Sequence, residues 1–204
     1  AFGTWALDAN STGSRNVAMG YAALTDSQSN DNTAVGFEAG YVISTGYSNT
    51  AIGAYALHTG TNDNNNTAIG FEALKNSTAD STTAVGSKAL KANTSGAENC
   101  AVGCNALTAN TTGNYNTAIG TNALDAQTTA SDNTAVGYNA LGANAAGITN
   151  TAVGKEALKN NTDGDHNTGI GRDALFNCST GSSNTAVGTD SGQNITTGYQ
   201  NVAI

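Results

Sequence analysis

Not one of the 204 residues is proline. Every residue can therefore donate a backbone hydrogen bond, which suits long uninterrupted β-ladders. Charged side chains are scarce at 11% and aromatic ones at 6%, while Gly, Ala, Asn and Thr dominate. Disordered chains escape burial through strong charge or abundant proline, and this composition offers neither route. Basic charge is the scarcer sign, seven Lys and Arg against fifteen Asp and Glu, for a net charge of −8. That balance argues against nucleic acid and against an anionic membrane surface as partners. No stretch reaches the run of about eighteen apolar residues that a membrane-spanning helix needs. The chain begins Ala1-Phe2-Gly3-Thr4-Trp5 with neither initiator Met nor signal peptide, inside a repeat and without a polar cap. It ends at Ile204, one residue before the next glycine of that repeat would fall. A processed product or a cut piece of a longer array is the expectation.

What is present is an echo. The string N-T-A-V-G recurs with its glycine at Gly3, Gly20, Gly36, Gly53, Gly70, Gly86, Gly103, Gly120, Gly137, Gly154, Gly171 and Gly188. Successive intervals are 17 residues, except Gly20–Gly36 and Gly70–Gly86, which are 16. Val or Ile precedes almost every one of these anchors, with Phe2 and Met19 as variants, and Ala stands two before, with Gly169 the exception. Asn stands four before, from Asn16 to Asn201, broken only by Thr82. Ala and Leu follow at three and four after the anchor, and Gly40 and Gly192 interrupt the Leu column. The consensus is N-T-A-V-G-x-x-A-L-x-x-N-T-T-G-x-x, and the whole of 1–204 reads as one repeat array with no other domain division.

A period of 17 is too short for helical-pair repeats and falls below leucine-rich repeats. A β-branched run closed by glycine reads as a strand and a tight bend. T-T-G reads as a turn whose glycine supplies positive φ. Each repeat is then one coil of an all-β solenoid, a β-roll of about twelve coils and, at about 4.8 Å per coil, about 58 Å long. Asn and Thr of successive coils would align as ladders, each amide bonding the next. Along the strand Thr and Val/Ile point one way while Asn, Ala and Gly point the other. The reading places Val/Ile inside and the small Ala–Gly face against a neighbouring chain, since one coil holds little apolar mass against the entropy of ordering it. Self-association as a homotrimer sharing an axial core, or end to end as a filament, follows.

The strings NTAVG, NTAIG and NVAMG resemble the S-V-A-I-G core of head repeats in trimeric autotransporter adhesins of the YadA type. They are also similar to NTA-[VI]-G-x-x-AL arrays of tail-fibre-like proteins, and the resemblance spans essentially the whole chain. It implies a trimeric left-handed β-roll on a secreted or virion fibre. The N-T-T-G turn is an addition to the shorter adhesin coil.

Candidate chemistry is thin. Cys100 and Cys104 are spaced C-x3-C, which is not a zinc-knuckle pattern, and together with Cys178 they read as small side chains in the array, a disulfide being the alternative. His58 and His166 read as exposed turn residues without a nucleophile at motif spacing. Asp163 to Asn167 (DGDHN) and Asn62 to Asn66 (NDNNN) cluster oxygens without a calcium-loop pattern. Gly169 to Ala174 (GIGRDA) matches a dinucleotide fingerprint only nominally, with no βαβ context. No catalytic residue, metal ligand or cofactor is expected. The N-x-S/T sequons at Asn76, Asn93, Asn110, Asn160, Asn177 and Asn194 fall six or seven residues after an anchor and read as one exposed stripe, open to glycosylation. Residues one and two after each anchor vary and mix aromatics with carboxylates, a surface for a host receptor or glycan.

The functional expectation is a non-enzymatic, extracellular fibre segment: the stalk or head of a surface adhesin, a filament or a phage tail fibre. The rival is a single-chain ice-binding solenoid that uses Thr33, Thr50, Thr67, Thr117, Thr134, Thr151 and Thr185 as a column.

Overall fold

Branched residues on either side of a small one hold each T-A-V or T-A-I triplet extended, and the following glycine ends it. In the computed structural model, which describes residues 1–204, twelve such segments are strands and no helix occurs. They are β1 (Val17–Met19), β2 (Thr33–Val35), β3 (Thr50–Ile52), β4 (Thr67–Ile69), β5 (Thr83–Val85) and β6 (Cys100–Val102). The rest are β7 (Thr117–Ile119), β8 (Thr134–Val136), β9 (Thr151–Val153), β10 (Thr168–Ile170), β11 (Thr185–Val187) and β12 (Val202–Ala203). All lie in one sheet in chain order, parallel and in register, Thr on Thr, Ala on Ala and Val on Ile. Twelve stacked strands bound eleven turns of a parallel β-solenoid, and a bridge from Phe2 to Met19 begins another.

Strands are only part of the stitching. Of 128 backbone hydrogen bonds, 106 lie outside the strand ladder, so the turns are bonded coil to coil as well. Around Gly103, Ala106 N–H closes a tight turn on the Gly103 carbonyl at 3.3 Å. Asn105 N–H reaches back to Ser87, and Leu107 N–H reaches forward to Ala123, both at 3.0 Å. Asn105, Leu107 and Tyr115 all have positive φ, 55°, 51° and 58°, and nearly every coil repeats these three non-glycine left-handed residues. Each costs about 1–2 kcal/mol, and the inter-coil bonds hold them there.

The structure reverses the expected inside and outside. The strand alanines, such as Ala101, Ala118 and Ala135, are completely buried, whereas Val and Ile beside them stand partly exposed. The lumen explains it. Gly169, the one glycine of the Ala column, shows how little room exists: an added Cβ would lie 3.1 Å from the Ala174 carbonyl oxygen and 3.3 Å from Leu158 Cγ. A methyl group nearly fills the gap, and Val would not fit. Leucines four after each anchor, such as Leu107 and Leu124, supply the bulk of the core.

The anchor glycines are approached by another backbone, but it is the next coil of the same chain. At Gly120 φ is +137°, and an added Cβ would sit 2.4 Å from the Gly137 carbonyl oxygen. The T-T-G glycine also differs from expectation. Gly113 is not in the left-handed region; it is glycine because a Cβ would lie 2.1 Å from the Ala130 oxygen.

Candidate functional site

Three side-chain systems run along the solenoid, two outside and one within. The first is the outer face of the sheet, where Thr and Val/Ile form two parallel columns. Thr33, Thr50, Thr67, Thr117, Thr134, Thr151 and Thr185 are half-buried. Ile119, Val153, Ile170 and Val187 are 36–42% exposed, a continuous apolar line rather than scattered residues. Cys100 takes a Thr place in this face.

The second system is internal. Each Asn four before an anchor satisfies two backbone groups of the coil that follows. Asn116 Oδ1 accepts the Asn133 N–H at 3.0 Å, and its Nδ2 donates to the Ala130 carbonyl at 3.0 Å. The ladder is thus chiefly amide to backbone, with direct amide contacts at rungs such as Asn184–Asn167. A second buried ladder stands seven after the anchor: Asn110 donates to Asn93 at 2.9 Å and Asn161 to Asn144 at 2.8 Å. Gln127 accepts from Asn144 in the same column. Cys178 occupies a further rung as a free thiol, its Sγ 3.5 Å from the Gly181 oxygen, and burial raises its pKa. Cys100 and Cys104 are free as well.

This ladder divides the sequons. Asn76, Asn177 and Asn194 are exposed and Asn160 is half-buried, all six residues after an anchor. Asn93 and Asn110, at seven, are fully buried with their Nδ2 groups engaged, while Asn110 Oδ1 has no partner. The single exposed stripe is therefore corrected: a one-residue step moves the amide from solvent to core. A glycine three residues on marks the buried rungs, as in Asn93-x-x-Gly96 and Asn110-x-x-Gly113.

One coil inverts the pattern. Gly60 stands where an amide belongs, and Asp63 stands where glycine belongs. The Asp63 side chain folds back into the vacated space, its Oδ2 2.7 Å from where a Gly60 Cβ would be. Asp63 is 1% exposed, and neither carboxylate oxygen has a hydrogen-bond partner. Burial, and secondarily the charge of Asp80, raises its pKa to about 7.

The third system is a ridge of rings along the bend after the strands. Trp5, Tyr21, Phe37, Tyr55 and Phe71 follow one another with centroids 5.1, 5.0, 5.3 and 6.3 Å apart. His58 is no free turn residue: it stacks on Tyr41 at 5.2 Å and meets Glu38 Oε2 through Nε2 at 3.1 Å. At the far end Lys75 lies 4.9 Å over the Tyr55 ring and, with Lys91, contacts Glu72 at 2.8 Å. Hydrogen bonds from Lys75 and then Lys91 hold the Glu72 carboxyl down at about 2. Sequence reading found this variable column but not Tyr41 or His58, which join it from elsewhere in the coil.

The remaining motifs stay apart. Asp165 accepts the Ile148 N–H at 2.8 Å, while Asp163 and His166 are exposed. No three His, Cys, Asp or Glu side chains converge as a metal site would require. Gly169 lies in β10 and Gly171 is an anchor, so GIGRDA is strand and bend rather than a phosphate loop. No protein-family model, curated protein or solved structure matches the chain.

Proposed function

We propose that the chain is a stiff, non-enzymatic segment of an extracellular fibre, the stalk or head of a surface adhesin or tail fibre, in which copies associate as a homotrimer. The observation that carries this reading is the half-exposed Val/Ile line on a parallel, in-register sheet. Contiguous apolar surface of that kind marks an interaction face. The face differs from the one expected from sequence, since Ala lies in the lumen and Val/Ile lies outside. Three thin coils meeting on their Thr–Val/Ile faces would bury that line around one axis, and closed symmetry is the usual solution for identical chains. The likeness of NTAVG to YadA-type head repeats supports the same arrangement. Light scattering over a dilution series tests it. Persistent mass at three times the 20.3 kDa chain is expected, collapsing to one chain in Ile119→Lys/Val136→Lys. A wild-type chain that is monomeric throughout overturns the trimer.

A second reading gains from the same face. Thr beside Val/Ile, repeated at the strand spacing on an in-register sheet, is an ordered array partly exposed to water. This is the geometry an ice-binding solenoid needs. A monomer showing thermal hysteresis, lost in Thr134→Lys, would put that reading ahead.

A further inference from the structure

We propose that the aromatic ridge at the N-terminal end is a binding site for a neutral linear oligosaccharide. Trp5, Tyr21 and Tyr41, with Asp8, Ala22, Thr25 and Glu38, line a cleft of about 220 Å³, small enough to match a single sugar ring. The rings beyond it continue the same line through Phe37, Tyr55 and Phe71. Trp5, Tyr21, Phe37 and Phe71 are 54, 39, 42 and 46% exposed, too open for rings serving only as core.

The chemistry selects the ligand. A sugar offers an apolar C–H face and a rim of hydroxyl donors. This cleft offers the open Trp5 ring beside Tyr21 and Tyr41, each of which has one face already stacked on a neighbour, Phe37 and His58 respectively. Two carboxylates stand at their edge with the Thr25 hydroxyl, which gives its proton to the Ala22 carbonyl and keeps its lone pairs free to accept. Glu38 is held in place by His58 on Oε2, which leaves Oε1 to accept a hydroxyl; Asp8 is exposed beside it. An apolar peptide would leave the two carboxylates unmatched. A uronic, sialic or sulfated glycan would meet carboxylates with no basic residue among the lining groups. Lys75, the nearest cation on the ridge, is committed to Glu72 and the Tyr55 ring at the other end. Ring spacings of 5.0–6.3 Å follow from one aromatic per coil, and that interval is close to the length of one hexose in an extended chain. Because Tyr21 and Phe37 stack on one another and Lys75 covers the Tyr55 ring, a linear glycan running along the solenoid axis from the Trp5 cleft would meet ring edges at successive sugars.

The ridge is confined to one end. Beyond Glu72 the same two positions hold Ser87-Lys88, Cys104-Asn105, Thr121-Asn122, Tyr138-Asn139, Lys155-Glu156, Arg172-Asp173 and Thr189-Asp190. One tyrosine among fourteen residues makes no platform. The site rests on the ridge alone and not on how copies associate, so failure of either proposal leaves the other standing.

The single tryptophan lies in the cleft and reports on it directly. The intact protein is titrated with cellohexaose and chitohexaose, with oligogalacturonate as the acidic comparison, reading Trp5 fluorescence and calorimetric heat. Saturable change with at least one neutral hexaose is expected, weakened at least about tenfold in Tyr21→Ala and in the milder Asp8→Asn, and unchanged in Tyr138→Ala. No response to either neutral hexaose at about 10 mM overturns the proposal. So does equal binding of oligogalacturonate, or a Tyr138→Ala loss matching that of Tyr21→Ala.

Discussion

The solenoid before Thr82 and the solenoid after Asn99 share one backbone and differ in what fills it. Thr82 still donates its N–H to Asn66 Oδ1 at 2.8 Å, but its hydroxyl turns back to the Asp80 carbonyl, and no side chain reaches Asn99. The first amide ladder therefore breaks between them. Beyond the break a second ladder of Asn93, Asn110, Gln127, Asn144 and Asn161 fills the core. Before it, that column holds one amide, Asn10, and then Ser27, Ile43, Gly60 and Ser77, and both 16-residue coils fall here, each shortened in its T-T turn. Compensation is local. Where Gly40 replaces the core leucine, Ile43 three residues later fills the space, its Cδ1 3.0 Å from where a Gly40 Cβ would be. Gly60 and Asp63 exchange roles in the same manner. Volume in the lumen is conserved by pairs, which is how cores tolerate sequence change. The irregular half also carries eight of the twelve aromatic residues, so variation inside accompanies variation outside.

The largest effect should erase the difference between halves. Gly53→Ala and Gly120→Ala each place a Cβ within 2.5 Å of the next coil's carbonyl, at φ of 127° and 137°. Losses above about 4 kcal/mol are expected at both positions, read as collapse of the cooperative melt. A markedly milder Gly53→Ala would mean that the first half relaxes around its backbone.

Next comes a pH dependence centred on Asp63 in the first half. Asp63 holds its proton to about pH 7 when folded but releases it near its usual 3.8 when unfolded. The sign follows: the unfolded state sheds the proton first, so stability is highest in acid and falls as pH rises from about 4 to about 7. Three pKa intervals bound the loss at about 4 kcal/mol. Hydrogen exchange of the 61–66 turn should show it, and Asp63→Asn should flatten it. Glu72 has the opposite sense. Its pairing stabilises above pH 4.5 and is lost as pH falls toward about 2, so the two windows meet only near pH 4.

A smaller effect distinguishes the ladders. Asn144→Ala removes one of two donors from the Gln127 Oε1 and the Gly147 carbonyl, both of which keep Asn133 Nδ2, and takes an acceptor from Asn161 Nδ2, at a cost of about 1 kcal/mol. Ser77→Ala, at the same column in the first half, removes longer contacts of 3.2 and 3.3 Å and should cost less in the same denaturant titration. The smallest change is a repair. Thr82→Asn would offer Oδ1 to the Asn99 N–H and Nδ2 to the Gly96 carbonyl, joining the two ladders and raising stability by about 1 kcal/mol. An unchanged or lowered midpoint would show that the break is built into the shorter coil.

Much of the architecture was legible because it is periodic. The 16–17-residue interval, the strand at each T-A-V and the parallel in-register stack all follow from a repeat too short for anything but one β-coil. The outward column that carries the aromatic ridge was legible as variation at a fixed place. Its Tyr41–His58 arm was not, because those residues stand five after their anchors and meet the ridge only through coil stacking. Asp63 was one oxygen in a polar run until the lumen showed it buried and unpaired.

The sequence by itself determined that strand residues alternate and that small residues are obligatory at Ala and Gly. It did not determine which side was inside. Alternation has period two and is blind to direction, and β-branched bulk suggests a core when the width of the lumen is unknown. The tertiary structure decided it through space: leucines from the opposite wall leave room for a methyl and no more. Leu107 in the left-handed region makes the same point, since local preference opposes that conformation and the bond to the Ala123 carbonyl of the next coil holds it there.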